Sequence, residues 1–192
     1  DYNRAIELSP EYTVAYRNRA ALYNAVGEFA LGEADYATAY ELQPGELNPY
    51  DYVEWGIALH QLSDYEQAIA RHTQAIELAP DYERAFYERG FAYIETVDFT
   101  AATADFERAL EINPDSIWSF VGLGNMYYQQ GYVENALQAY QNYASRVEQP
   151  MDYVVERIAE LEGLVTVPEL DCDPTGSADT YITIGTVALE GD

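Results

Sequence analysis

Apolar residues recur along residues 1–150 at the three- and four-residue spacing that is typical of amphipathic helices. A six-residue phrase interrupts this pattern four times, at residues 5–10, 39–44, 75–80 and 109–114. Each copy reads Ala, an apolar residue or Tyr, Glu, Leu or Ile, a variable residue and Pro. The residue before a proline is disfavoured in the α-helical region, so each phrase predicts the end of a helix. The prolines are 34, 36 and 34 residues apart, which indicates a repeat array.

Each full period contains two predicted helices that are separated by a short break. In the first full period, the first helix carries Tyr16, Ala20 and Tyr23, and the second carries Tyr36 and Ala39. The breaks fall at Gly27, near Ser63 and Asp64, near Asp98, and at Gly131. The periodicity predicts a half repeat at 1–10, full repeats at 11–44, 45–80, 81–114 and 115–150, and a terminal helix at 151–164.

The middle of each first helix carries a small residue, which lets the two helices of one hairpin approach closely. These residues are Ala20, Gly56, Gly90 and Gly124. The aromatic residues around them are expected to fill the space between the helices, since each buried ring contributes a large apolar surface. Most of the 19 tyrosines are therefore predicted to be packing residues.

This arrangement resembles the tetratricopeptide repeat, whose pattern is W-x2-L-G-x2-Y, then A-x3-F, then P. The resemblance covers residues 1–150 and rests on spacing and residue type in four full copies. Among the departures, Arg19 and Arg89 stand at the leucine position, Gly32 at the first alanine position and Tyr143 at a later small position. The resemblance implies an all-α fold, a solenoid of helical hairpins wound into a right-handed superhelix.

The composition changes after Gly163, and residues 165–192 are predicted to form a loop followed by a short extended tail. Prolines and a glycine interrupt the loop. Residues 180–189, TYITIGTVAL, are rich in β-branched residues, which favours one or two strands. Cys172 is the only cysteine of the chain, so an internal disulfide is excluded.

The formal net charge of −25 excludes nucleic acids and anionic membrane surfaces as partners, because both are bound through Lys and Arg. No apolar run approaches the ~20 residues that cross a bilayer, so no membrane insertion is expected. The chain contains no lysine, and all nine basic residues are arginine. An acidic composition of this kind slightly favours a secreted or cell-surface location.

No catalytic set accompanies the two histidines. His60 and His72 are predicted to lie on different helices of one hairpin, and His72 stands at a core position that is normally aromatic. The sequence offers no Ser–His–Asp order, no glycine-rich phosphate loop and no paired metal ligands. The chain is therefore predicted not to be an enzyme.

A partial calcium-loop pattern lies near the carboxyl end. Oxygen-bearing side chains fall on alternate residues of 171–179 around Gly176, and the carboxylates among them are Asp171, Asp173 and Asp179. Ile182 stands where a calcium loop needs a bidentate Glu, so a simple turn is favoured. We expect no metal or cofactor, and calcium is the one alternative.

The resemblance also implies that one face of each first helix lines a concave groove. Large and apolar residues at these positions predict a surface for an extended peptide or a helix of another protein. The residues assigned to partner binding are Arg17, Tyr50, Val53, Tyr87, Phe91, Trp118, Val121, Asn125 and Tyr128. The alternative is that the tail of the chain or a second subunit covers this strip.

The array starts on a second-type helix and ends on a first-type helix. Two copies placed head to tail would complete a hairpin, and such a heterologous contact builds a filament. The residues assigned to this contact are Tyr2, Ile6, Val154, Ile158, Leu161, Tyr181, Ile182 and Ile184. The alternative is that the sequence is a segment of a longer array.

The sequence thus predicts a non-catalytic scaffold for protein–protein interaction, in one of two versions. The first is a structural subunit that polymerises head to tail into an extracellular filament. The second is an adaptor that holds a peptide of another protein in its aromatic groove.

Overall fold

The computed structural model of the protein describes residues 1–165. In this range the chain forms ten α-helices and a 3₁₀ turn at Pro44–Glu46, and it contains no strand. The helices are α1 (Tyr2–Leu8), α2 (Thr13–Ala25), α3 (Phe29–Leu42), α4 (Pro49–Gln61), α5 (Tyr65–Leu78), α6 (Glu83–Glu95), α7 (Phe99–Ile112), α8 (Ile117–Gln129), α9 (Val133–Ala144) and α10 (Asp152–Val165). The predicted all-α solenoid is confirmed.

Several predicted features lie outside the described residues. They are the extended tail, Cys172, the loop residues Asp171, Asp173 and Asp179, and the assembly residues Tyr181, Ile182 and Ile184.

The helices pack as consecutive hairpins. Helix α2 pairs with α3, α4 with α5, α6 with α7 and α8 with α9, while α1 packs on α2 and α10 packs on α9. The first helices of successive hairpins, α2, α4, α6 and α8, also contact each other in order. These four helices therefore form one continuous surface, which we call the first-helix face.

Helices α1, α3, α5 and α7 each end two residues before the proline of the repeated phrase, at Leu8, Leu42, Leu78 and Ile112. Several helix starts are fixed by side chains that accept hydrogen bonds from backbone N–H groups. Asp64 accepts from Gln67 at the start of α5, and Asp98 accepts from Ala101 at the start of α7. Such caps satisfy amide groups that have no partner within the helix.

Each hairpin is closed around one ring of its second helix. The rings are Tyr36, His72, Phe106 and Tyr140, and all four are buried. A Cβ atom added at Gly56 would lie 2.4 Å from the His72 ring, and one added at Gly124 would lie 2.5 Å from the Tyr140 ring. The glycines of α4 and α8 are thus required by the rings that pack on them.

The links inside the four hairpins contain three residues each, and the middle residue of every link has a positive φ. This angle is +81° at Gly27, +63° at Ser63, +61° at Val97 and +75° at Gly131. Glycine adopts such angles without strain, whereas a β-branched residue does so rarely. Val97 therefore holds a strained conformation in an exposed link.

We predict that Val97→Gly stabilises the protein. The left-handed conformation costs an L-residue about 1–2 kcal/mol, and the extra freedom of glycine in the unfolded chain offsets about 0.5–1 kcal/mol of the gain. Urea unfolding should show a net increase of about 0.5–1 kcal/mol in the free energy of unfolding. Val26→Gly is the matched control, because Val26 is also exposed but has a φ of −102°. It should destabilise, and equal effects of the two variants would contradict the argument.

Within residues 1–165, none of the helices combines the length and the apolar character that a transmembrane span requires.

Candidate functional site

A cavity of about 610 Å³ opens on the first-helix face between α6, α8 and α10. We call it the inner cavity. Its lining residues are Arg84, Tyr87, Glu88, Phe91, Trp118, Val121, Asn125 and Tyr153. A second cavity of about 220 Å³ adjoins it on the side of α4 and shares Glu88, Phe91 and Asn125 with it. The two cavities make one extended depression along this surface.

Five residues that the sequence assigns to partner binding meet in the inner cavity. They are Tyr87, Phe91, Trp118, Val121 and Asn125. Trp118 is the most accessible of the set, with 45% of its surface exposed. Large aromatic side chains at concave sites are typical anchors of protein–protein contacts.

Phe91 and Val121 lie deeper than the sequence analysis expected. The Phe91 ring packs edge to face on Phe106, with ring centres 5.3 Å apart. Val121 is almost completely buried against α9 and α10. Both residues line the cavity and also pack with the hydrophobic core, so truncating either one would disturb folding.

The other four predicted groove residues lie outside the inner cavity. Tyr50 is about half exposed at the start of α4, whereas Val53 is completely buried in the core. The assignment of Val53 to partner contact is therefore corrected, since its side chain has no accessible surface. Arg17 forms an ion pair with Asp51, which ties α2 to α4.

Tyr128 is held by α10. Its hydroxyl donates a hydrogen bond of 3.1 Å to Glu160 and accepts one of 2.6 Å from Arg157. The Arg157 guanidinium also lies over the ring, 4.0 Å from its centre. These contacts occupy the polar atom that a ligand would otherwise use.

Two charged residues of the inner cavity, Arg84 and Glu88, belong to a chain of charges that continues to Glu54 on α4. Arg84 Nη1 lies 2.8 Å from Glu54 Oε1, and Arg84 Nε lies 3.5 Å from Glu88 Oε1. Burial raises the pKa of Glu88 to about 7, although the nearby Arg84 favours the charged form. Burial also lowers the pKa of His60, which lines the adjoining cavity.

All nine arginines are already engaged within residues 1–165. Eight of them form ion pairs with carboxylates. The ninth, Arg71, lies over the Trp55 ring at 3.9 Å from its centre. Since the chain has no lysine, the described part of the protein offers no lysine or arginine side chain that lacks an ion pair or an aromatic partner.

Three cavity residues, Arg84, Glu88 and Tyr153, are not among those that the sequence assigns to partner binding. Glu88 follows Tyr87 directly on α6, so the cavity includes a residue position of this helix that the sequence does not predict. Tyr153 lies on α10, which the sequence predicts as a further first-type helix but to which it assigns no groove residue. The order of the predicted helices, which makes α10 the first helix of a further hairpin, is the signal that could have placed Tyr153 on the same face.

Several residues assigned to end-to-end assembly are internal in the structure. Val154 and Leu161 are buried against α9, and Ile158 is partly buried with them. They cannot face a second copy unless α10 detaches, which corrects that assignment. Ile6 is partly buried, and Tyr2 is about one-third exposed. The exposed apolar residues of α10 are instead Tyr153, Val155, Leu164 and Val165.

No group of three or more His, Cys, Asp or Glu residues in the described range is arranged to hold a metal ion.

Two family models match the chain, and both describe the repeat that its pattern resembles. A TPR-repeat model matches residues 56–96, and a tetratricopeptide-repeat model matches residues 83–116. No curated protein sequence matches the chain.

Solved structures share the fold at low sequence identity. PilW, described as a widely conserved type IV pilus biogenesis factor, is 20% identical with a TM-score of 0.73, covering 84% of this chain and 76% of its own. PilF of Pseudomonas aeruginosa is 20% identical with a TM-score of 0.70, covering 85% and 73%. MamA is 19% identical with a TM-score of 0.68, covering 76% and 84%. These likenesses establish the architecture alone.

Proposed function

Because the chain belongs to the tetratricopeptide-repeat family, whose fold is that of a protein–protein interaction scaffold, we propose that its first-helix face binds a peptide segment of another protein without catalysis. The observation that carries this proposal is the position of Trp118, an exposed ring at the edge of the inner cavity. The cavity volume of about 610 Å³ is within the range of specific binding pockets.

The surroundings of Trp118 favour a peptide anchored by one or two side chains. Tyr87 and Tyr153 provide further rings on neighbouring helices, and Phe91 and Val121 form an apolar floor. Tyr50, exposed on α4, extends the same face toward the amino end. An extended or helical segment can therefore place successive residues on successive first helices.

We predict that Trp118→Ala lowers peptide affinity at least about 30-fold, because truncation of an anchor of this kind costs about 2 kcal/mol or more. Peptides selected from a random displayed library against the whole chain would be titrated by calorimetry. Tyr12→Ala is the matched control, since Tyr12 is about half exposed but lies outside both cavities. Its affinity should equal that of the wild type.

The thermal midpoint of Trp118→Ala should stay close to that of the wild type, because nearly half of the ring is already in water. An unchanged affinity would refute the proposal. A large fall of the midpoint would show that Trp118 is a core residue and would equally remove it as the anchor.

A second candidate function is head-to-tail self-association into a filament, which the exposed apolar residues of α10 favour. Val155, Leu164 and Val165 are each about half exposed. The net charge of −25 opposes such contacts unless salt screens it. Electron microscopy of the purified chain at high salt should show long uniform fibres that Val155→Asp abolishes. Discrete particles at every concentration would remove this candidate.

A further inference from the structure

Arg84 is the one arginine that lines the inner cavity, and its guanidinium is already paired with carboxylates of the protein. Arg84 reaches Glu54 at 2.8 Å and Glu88 at 3.5 Å, and Glu54 is only 12% exposed. An anionic side chain of a ligand would therefore meet no free cation there. It would also approach a chain whose net charge is −25.

The carboxylate of Glu88 is only partly compensated. Its distance of 3.5 Å to Arg84 Nε exceeds the usual 2.7–2.9 Å of a charge-assisted hydrogen bond. The other titratable groups near Glu88 add no positive charge. Glu54 and Glu95 are carboxylic acids, and burial lowers the pKa of His60, which favours its neutral form. Glu88 is also 21% exposed, so a ligand can reach it.

Aromatic rings surround the same space. Tyr87, Trp118 and Tyr153 line the cavity together with Glu88. The faces of such rings attract cations through their quadrupole, with tryptophan the strongest. Phe91 and Val121 offer an apolar surface for the aliphatic stem that lysine and arginine carry below their charge.

We propose that the inner cavity takes a lysine or arginine side chain of the bound peptide, with Glu88 as its counter-charge and Trp118 as the ring beside it. This inference rests on the proposed peptide-binding function and adds the chemical class of the ligand. The acidic surface assists by steering basic segments toward the first-helix face.

The test begins with peptides selected from a random displayed library against the whole chain at about pH 8, where the Glu88 carboxyl, whose pKa is raised to about 7, is ionised. We expect the selected sequences to share one lysine or arginine position. Replacing that residue by norleucine, which keeps the stem and removes the charge, should weaken binding about ten-fold or more. Glu88→Gln should weaken binding of the original peptide to a similar extent.

The two changes should be coupled. In the Glu88→Gln variant, the norleucine replacement should have little further effect, because the partner of the charge is already gone. Glu95→Gln is the matched control, since it removes the same charge from the adjoining cavity. It should leave the affinity nearly unchanged. Circular dichroism would establish that both variants are folded.

The outcomes separate this inference from the function on which it rests. Peptides that bind through Trp118 but share no basic residue, or that bind Glu88→Gln as well as the wild type, would overturn the inference and leave peptide binding intact. If Glu95→Gln and Glu88→Gln lowered the peptide affinity equally, the loss would reflect the net charge of the protein and not a contact at Glu88. That result would also overturn the inference. A selection without any peptide whose binding depends on Trp118 would contradict both proposals.

Discussion

Asp105→Ala is expected to lower the free energy of unfolding by about 3 kcal/mol, because it leaves the half-enclosed guanidinium of Arg89 without its counter-charge. Arg89 Nε and Nη2 donate to the two carboxylate oxygens of Asp105 at 2.7 and 2.8 Å, and Nη1 donates to Thr73 at 3.0 Å. The side chains of Arg89 and Asp105 are 17% and 7% exposed. The pair therefore loses little strength to solvent, and urea unfolding would measure the loss.

The neighbouring repeat supplies a rescue variant. Leu123 and Ala139 stand where Arg89 and Asp105 stand one repeat earlier, and both are nearly buried. The double variant Arg89→Leu/Asp105→Ala should therefore recover most of the stability that Asp105→Ala loses. Glu111→Ala is the control, because the Arg108–Glu111 pair is exposed and should contribute less than about 1 kcal/mol. A double variant no more stable than Asp105→Ala alone would show that the charges are not the cause.

His72→Phe is expected to stabilise the protein and to do so more strongly in mild acid. The His72 ring is fully buried, and neither ring nitrogen has a hydrogen-bond partner among residues 1–165. Phe106 occupies the corresponding position of the next hairpin, where its six-membered ring packs on Gly90. A phenylalanine ring at position 72 should pack on Gly56 in the same way. At about pH 7.5 the gain should be about 1 kcal/mol, since two unsatisfied polar atoms are removed.

The pH dependence follows from the pKa of His72. Burial lowers this pKa from 6.5 to about 3, so between these values the unfolded chain binds a proton that the folded chain does not. Wild-type stability is thus fully present above pH 6.5 and is lost as the pH falls toward 3. Between about pH 7.5 and 5.5 the difference between His72→Phe and wild type should widen by about 1.4 kcal/mol.

The comparison between variant and wild type isolates His72 from other groups. The raised pKa of Glu88 acts in the opposite direction, because the folded state then binds the extra proton below about pH 7. Glu88 and His60 are present in both proteins, so their contributions cancel in the difference. A difference that does not change with pH would mean that the folded protein protonates His72 normally.

The positions of the helices could be read from the sequence because few physical signals decide them. A helix cannot continue through the prolines two residues beyond Leu42 and Leu78, and a small residue such as Gly56 marks close approach of two helices. The degree of burial of each side chain on the first-helix face could not be predicted from such signals. Val53 and Trp118 both belong to the predicted groove, but one is buried and the other is 45% exposed. Only the packing of neighbouring helices decides between them.

The arginines at the leucine position carried a signal that was overlooked. Arg19 and Arg89 look like departures from the repeat, but each is followed sixteen residues later by an aspartate, Asp35 or Asp105. The structure pairs both couples through two hydrogen bonds each. Arginine replaces the usual leucine in the first helix of each of these hairpins, and an aspartate of opposite charge faces it from the second helix.

These arginines also make the contacts between consecutive helices of the array differ in polarity from one repeat to the next. Arg89 spans α5, α6 and α7 through polar contacts, whereas Leu123, at the corresponding position of α8, packs in an apolar cluster. In a linear array, overall stability is roughly a sum over units and the boundaries between them. Guanidinium chloride, which is also a salt, should therefore weaken the polar boundary earlier than urea does. Unfolding of this protein would then begin at different places in the two denaturants.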